Sequence, residues 1–174
     1  MNFNLKEAIE VLERTPQSLS YFLTGLSEGW LRCNEGDETW NAIEVVEHLI
    51  EGEKNNWIQR LELILSDASN KTFPPYDRFA HLNNEINVPL EQKLQEFSIL
   101  RAQNISRLKE LVNPEQHLEL LGTHPVFGSV KVREVISTWV AHDLTHIGQI
   151  IRVMAKRYGT DVGPWIEYLS ILKK

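Results

Sequence analysis

The chain has one cysteine, Cys33, among 174 residues. An internal disulfide is excluded, and a reducing cytoplasm is the expected setting. No block of lysines and arginines is present, and the net charge is −6. Such a chain is a poor generic partner for nucleic acid or an anionic membrane, so neither is expected. No run approaches the roughly 20 apolar residues that cross a bilayer. The opening, MNFNLKEAIEVLERTP, carries early acidic residues and no apolar core, so a secretory signal is not expected. The loop GTHPVFG lacks the glycine spacing and the basic residue of a phosphate cradle. No stretch alternates convincingly with a period of two, which removes the usual sign of strands.

What is present is helical periodicity. Asn4 and Glu7 have capping-box spacing, and Leu5, Ala8, Ile9 and Leu12 follow on one face. Thr15-Pro16 predicts either a kink or a fresh start, with Leu19, Phe22, Leu23 and Leu26 beyond it. Asn41 and Glu44 open a second helix that is expected to end near Ser66. Its apolar arc is wide, taking in Val45, Leu49 and Ile50. The prolines of TFPPYDRF make residues 67–88 the longest loop. A third helix runs from about Pro89 to just before Asn113-Pro114. A fourth runs from about Lys131 to Tyr158, with Gly159 as its C′ residue, and GPWIEYLSIL makes a short C-terminal helix. The class is all-α, and residues 1–174 read as a single four-helix-bundle domain, antiparallel by default.

The fourth helix poses the functional question. In WVAHDLTHIGQI, His142 and His146 lie four apart, so one face carries both imidazoles. They sit toward an edge of the apolar stripe, where a neighbouring helix and solvent are both within reach. Two nitrogens rarely hold a metal ion, and a third must come from elsewhere. Of His48, His81, His117 and His124, only His48 lies within a long helix, flanked by Glu44 and Glu51. A solvent-facing His48 is the competing reading. Asp143 falls near the middle of the apolar stripe and Arg101 does the same in the third helix. They form a structural ion pair, or Asp143 orients a ligand imidazole. Gln149 lies at the histidine edge, as a water ligand or a surface amide. His124 caps its loop, His81 is placed to touch a substrate, and His117 is surface. Cys33, in the acidic CNEGDE, is an ordinary thiol. Trp30, Trp40, Trp57 and Trp139 are core packing.

The segments WNAIEVVEHLIEGE and WVAHDLTHIGQI resemble the paired signature of the DinB-like superfamily. LERTPQSLSYFLTGL and DVGPW add matching pieces in the same order. The resemblance implies an up-down-down-up four-helix bundle, which replaces the antiparallel expectation and uses the long loop to join two parallel helices. It implies a divalent metal, nickel or zinc, on His48, His142 and His146; position on the helices adds Asp143, Glu51 and Gln149 as outer candidates. It implies a homodimer, for which the wide arc of Val45, Leu49 and Ile50 gives a physical motive. Relatives include thiol-dependent S-transferases, a maleylpyruvate isomerase with a thiol cofactor, and inferred hydrolases. The function implied is a metal-dependent S-transferase or hydrolase acting on a small molecule, with a low-molecular-weight thiol as a candidate cofactor. No catalytic base is assigned, Glu51 being the nearest candidate. The alternative is a non-catalytic or stress-associated metal-binding bundle.

Overall fold

A computed structural model describes residues 3–83 and 88–173. Helix α1 is Leu5–Leu23, capped by Asn4, whose side chain accepts from the N–H groups of Lys6 and Glu7. Pro16 lies inside it without ending it, so neither helix break nor new cap occurs there. Proline brings no N–H, and the Leu12 carbonyl four residues back loses its helical donor. The Arg101 guanidinium fills the gap, donating from Nη1 to Leu12 O at 2.8 Å. After a one-turn α2 (Glu28–Leu31), α3 spans Ala42–Asn55 behind the expected Asn41/Glu44 capping box.

The single helix expected to reach Ser66 is two. It breaks at Asn56 (φ −127°, ψ −68°), and α4 runs from Trp57 to Leu65. Two adjacent asparagines are poor helix formers, which makes this a weak point in the helix. The break lets the Trp57 indole fold back onto Gly52, where a Cβ would lie 3.1 Å from Nε1. Helix α5 is Leu90–Leu111 and α6 is Val132–Lys156. Gly159 does not serve as a left-handed cap. The helix stops at Arg157 with right-handed angles, and Gly159 N–H bonds to Lys156 O at 2.9 Å in a following turn. The expected C-terminal helix is two short 3₁₀ turns, Gly163–Tyr168 and Ser170–Leu172.

The structure adds two strands that the sequence pattern does not predict. Leu121–His124 (β1) and Gly128–Lys131 (β2) form an antiparallel hairpin, with Leu121 opposite Lys131 and His124 opposite Gly128. Four residues are too few for alternation to show. Gly128 takes the left-handed turn conformation, φ +74°. The Phe73 N–H donates to Thr123 O and the Thr123 N–H to Lys71 O, both at 2.9 Å. The start of the long loop is thereby pinned to the hairpin. A short 3₁₀ helix, Ala80–Asn83, ends the described part of that loop.

Side-chain pairings give the helix directions. Along α3, α4 and α5 the partners rise together: Glu47 with Lys93, Glu53 with Arg101, Glu62 with Arg107. Those helices are parallel. His48 meets His142, and Glu53 meets Trp139, so α3 and α6 are antiparallel. The bundle is up-down-down-up. Its apolar core comes in two parts. One centres on Leu12, Leu61, Leu108 and Trp139, and the other on Leu23, Val46, Phe97 and Ile150. Val45, Leu49 and Ile50 are 0%, 2% and 4% exposed within one chain. The bundle covers the whole arc, so the arc gives no motive for a homodimer.

Gly122 is where hairpin and bundle touch most closely, a Cβ there lying 2.7 Å from Ile64 Cγ1 and 2.9 Å from Phe73 Cε1. Gly122→Ala is expected to destabilise the fold by about 1–3 kcal/mol, measured by urea denaturation. A midpoint equal to wild type would show that the contact relaxes freely.

Candidate metal centre

Three histidines converge between α3 and α6. His48 Nε2 lies 3.0 Å from His142 Nε2, which lies 3.2 Å from His146 Nε2. All three nitrogens fall within 4.8 Å of one another. Bonds of about 2.0–2.1 Å in tetrahedral array would hold such nitrogens roughly 3.3–3.4 Å apart. The donor set therefore fits a divalent ion with little movement, and three imidazoles leave one tetrahedral position for another ligand. Among the described residues no carboxylate joins this cluster.

The outer nitrogens fix the rings. His48 Nδ1 donates to Arg78 O at 3.2 Å, and His146 Nδ1 to Gln149 Oε1 at 2.8 Å. Each bond places the proton on Nδ1 and leaves the Nε2 lone pair facing the centre. His142 Nδ1 is buried without a hydrogen-bond partner among the described residues. Burial depresses the pKa values of His48 and His142 to about 3, aided by the neighbouring imidazoles. His146 is lowered as well, mainly by burial. All three are neutral near pH 7, the form that binds a metal.

Aromatic rings wall the cluster. Trp40 packs 4.8 Å from His48 and stacks on His146 at 6.1 Å, with 20° between planes. His81, 1% exposed, stands edge-on to Trp40 at 4.4 Å and lies 5.1 Å from His48. Trp57, aimed by the break at Asn56, meets the edge of His142 at 5.1 Å. Trp40 therefore lines the site rather than filling the core. It opens the segment WNAIEVVEHLIEGE, the one signal that could have assigned it. Trp30 is half-buried against Tyr158 and Arg157, while Trp57 and Trp139 are core as expected.

The outer candidates divide. Gln149 holds His146. Glu51 does not join the three-histidine cluster; its carboxylate accepts from Asn55 Nδ2, the ordinary partner one turn along a helix. Asp143 orients no imidazole. Both its oxygens take the Arg101 guanidinium, Oδ2 at 2.6 Å and Oδ1 at 3.0 Å. Sequence reasoning missed the third member, Glu53, whose Oε1 accepts from Arg101 Nη2 at 2.9 Å and Trp139 Nε1 at 3.0 Å. Its Oε2 accepts from Asn104 Nδ2 at 2.9 Å. His124 caps the hairpin turn through Nδ1. His117 is half-buried and closes the end of α5 against Leu111 O. Cys33 Sγ approaches Trp30 O at 3.1 Å.

The sequence model of the DinB superfamily matches residues 11–150. The chain belongs to the DinB superfamily. Comparison with curated proteins gives no match. Among solved structures, this DinB chain is similar to YfiT from Bacillus subtilis, described as a probable metal-dependent hydrolase with an unusual four-helix bundle topology. The TM-score is 0.73 at 19% identity, over 87% of this chain and 86% of that one. TT2238, described as a four-helix bundle protein, gives a TM-score of 0.54 at 20% identity, over 83% and 95%. At those identities the likeness establishes the fold.

Arg101→Met leaves two buried carboxylates without their cation and the Leu12 carbonyl without a donor. It is expected to cost about 3–5 kcal/mol or more, read from chemical denaturation; a loss under 1 kcal/mol would mean the layer is solvated. The histidines give a pH dependence. Their folded pKa values lie below the free value of 6.5, so protons favour the unfolded chain. Stability contributed by the neutral rings is intact above pH 6.5 and falls as pH drops toward about 3. In chelator, the melting temperature should decline from pH 6.5 to 5, less steeply in His48→Gln. Equal slopes would contradict the assignment.

Proposed function

We propose that His48, His142 and His146 hold one divalent ion, nickel or zinc, and that the chain is a metal-dependent hydrolase of a small molecule. The observation that carries this reading is the convergence of three neutral Nε2 lone pairs at the spacing of a tetrahedral site. The description of YfiT supports the choice of hydrolysis. Three-imidazole centres with one position open belong to catalytic rather than closed structural sites. A divalent ion there supplies Lewis acidity and lowers the pKa of a bound water or thiol.

The chain's own residues do the rest. Arg78 O and Gln149 Oε1 hold two rings in the ligating tautomer. Trp40, Trp57 and His81 shield the cluster from bulk water, which strengthens electrostatic interactions inside it. A thiolate at the same open position would turn the centre to S-transfer with a low-molecular-weight thiol. The bundle brings no cysteine of its own to the cluster among the described residues.

The test is elemental analysis of protein purified without a nickel column, followed by ester, amide and thiol-conjugation assays with the ion recovered. The expected result is close to one nickel or zinc per chain, lost in His142→Gln, with metal-dependent hydrolysis. A wild-type chain that binds neither ion at micromolar concentration would overturn the reading.

A further inference from the structure

The buried layer beneath the histidines does not balance in charge. Arg101 contributes one positive charge; Asp143 and Glu53 each contribute a carboxylate. The three are 2%, 0% and 2% exposed. Every contact to Glu53 comes from a donor: Arg101 Nη2, Trp139 Nε1 and Asn104 Nδ2. A protonated carboxyl would need an acceptor, and none of its partners is one. Burial and the Asp143 charge push the Glu53 carboxyl up, opposed by Arg101 and Asn104; the all-donor geometry fits the ionised form, which leaves the layer one excess negative charge. The nearby Lys93–Glu47 pair, by contrast, is matched one to one.

The layer adjoins the histidine cluster. Asp143 follows His142 directly on α6. Glu53 lies five residues beyond His48 on α3, a rise of about 7.5 Å. Trp139, which donates to Glu53, stacks on Trp57 at 5.8 Å, and Trp57 touches His142. An uncompensated charge in an apolar interior is unfavourable unless something nearby offsets it. A dication held by three neutral imidazoles would do so across a poorly screened interior.

We propose that Glu53, without touching the ion, is a charge-tuning residue of this centre: its unbalanced carboxylate favours a divalent cation on His48, His142 and His146. The inference rests on the metal reading above. It gives Glu53 a role that its contacts alone do not suggest, since Arg101 is already neutralised by Asp143. Glu53→Gln keeps the Arg101–Asp143 pair balanced, and the glutamine oxygen can accept from Arg101 and Trp139, while its NH2 replaces the acceptor of Asn104 Nδ2.

The experiment is zinc titration of chelator-treated protein against a competing chelator, with circular dichroism as the check on folding. Wild type is compared with Glu53→Gln, Trp139→Phe and Asn104→Lys. Glu53→Gln is expected to weaken zinc binding roughly 10–100-fold. Trp139→Phe removes a donor but keeps the charge, and should bind zinc near wild-type affinity. Asn104 is half-buried beside Glu53 Oε2, and a lysine there cancels the charge while leaving the carboxylate in place. It should weaken zinc binding as Glu53→Gln does, and it stands in if that variant does not fold. Wild-type affinity in the charge-cancelling variants would overturn the proposal while leaving the metal reading intact. Equal weakening in Trp139→Phe would overturn it too, by showing that packing and not charge is responsible. A wild-type chain that takes up no zinc would overturn the metal reading and this proposal together.

Discussion

One buried guanidinium joins the helices that carry the histidines. Arg101 on α5 bonds to Asp143 on α6, to Glu53 on α3 and to the Leu12 carbonyl on α1. It does so between two apolar clusters that would otherwise tolerate sliding of one helix against another, because hydrophobic contact is not directional. Four hydrogen bonds with fixed directions set the register at one level. Replacing such a group with apolar residues often costs little stability, whereas removing one partner costs much. In this bundle, its structural consequence is register: it places His48 on α3 level with His142 and His146 on α6.

Pro16 shows how closely sequence and layer are matched. A proline within a helix frees a carbonyl one turn earlier, and a buried free carbonyl is costly. Here that carbonyl faces the interior and gives the guanidinium its third partner. The break at Asn56 plays a comparable part on α3. It ends one helix and starts another, and Trp57 packs between Trp139 of the charged layer and His142. Features that read as defects in regular helices are what shape the floor of the site.

Much of this was legible in the chain because it depends on spacing within one helix. The i, i+4 pair of His142 and His146, the capping box of Asn41 and Glu44, and the charges of Asp143 and Arg101 inside apolar stripes all show in linear order. Their meanings were less so. Asp143 had two candidate partners, and only the fold decides for Arg101. Glu53 gave no signal, because an acidic residue near the end of a helix normally faces water. Glu51 was preferred for its distance from His48, yet its side chain turns along the helix to Asn55. The hairpin was hidden because each strand has four residues, and its stability comes from Phe73 and Ile64, which lie far off in sequence. Trp40 looked like core, since nothing local to an indole tells whether imidazoles or aliphatic chains surround it.

The account stands on three imidazoles sharing one ion through Nε2. X-ray absorption at the zinc edge, on protein loaded with one equivalent of zinc, tests this most directly. It should show three imidazole nitrogens at about 2.0–2.1 Å and one exchangeable oxygen ligand, with an imidazole lost in His48→Gln. A shell dominated by oxygen, or an unchanged spectrum in that variant, would contradict it.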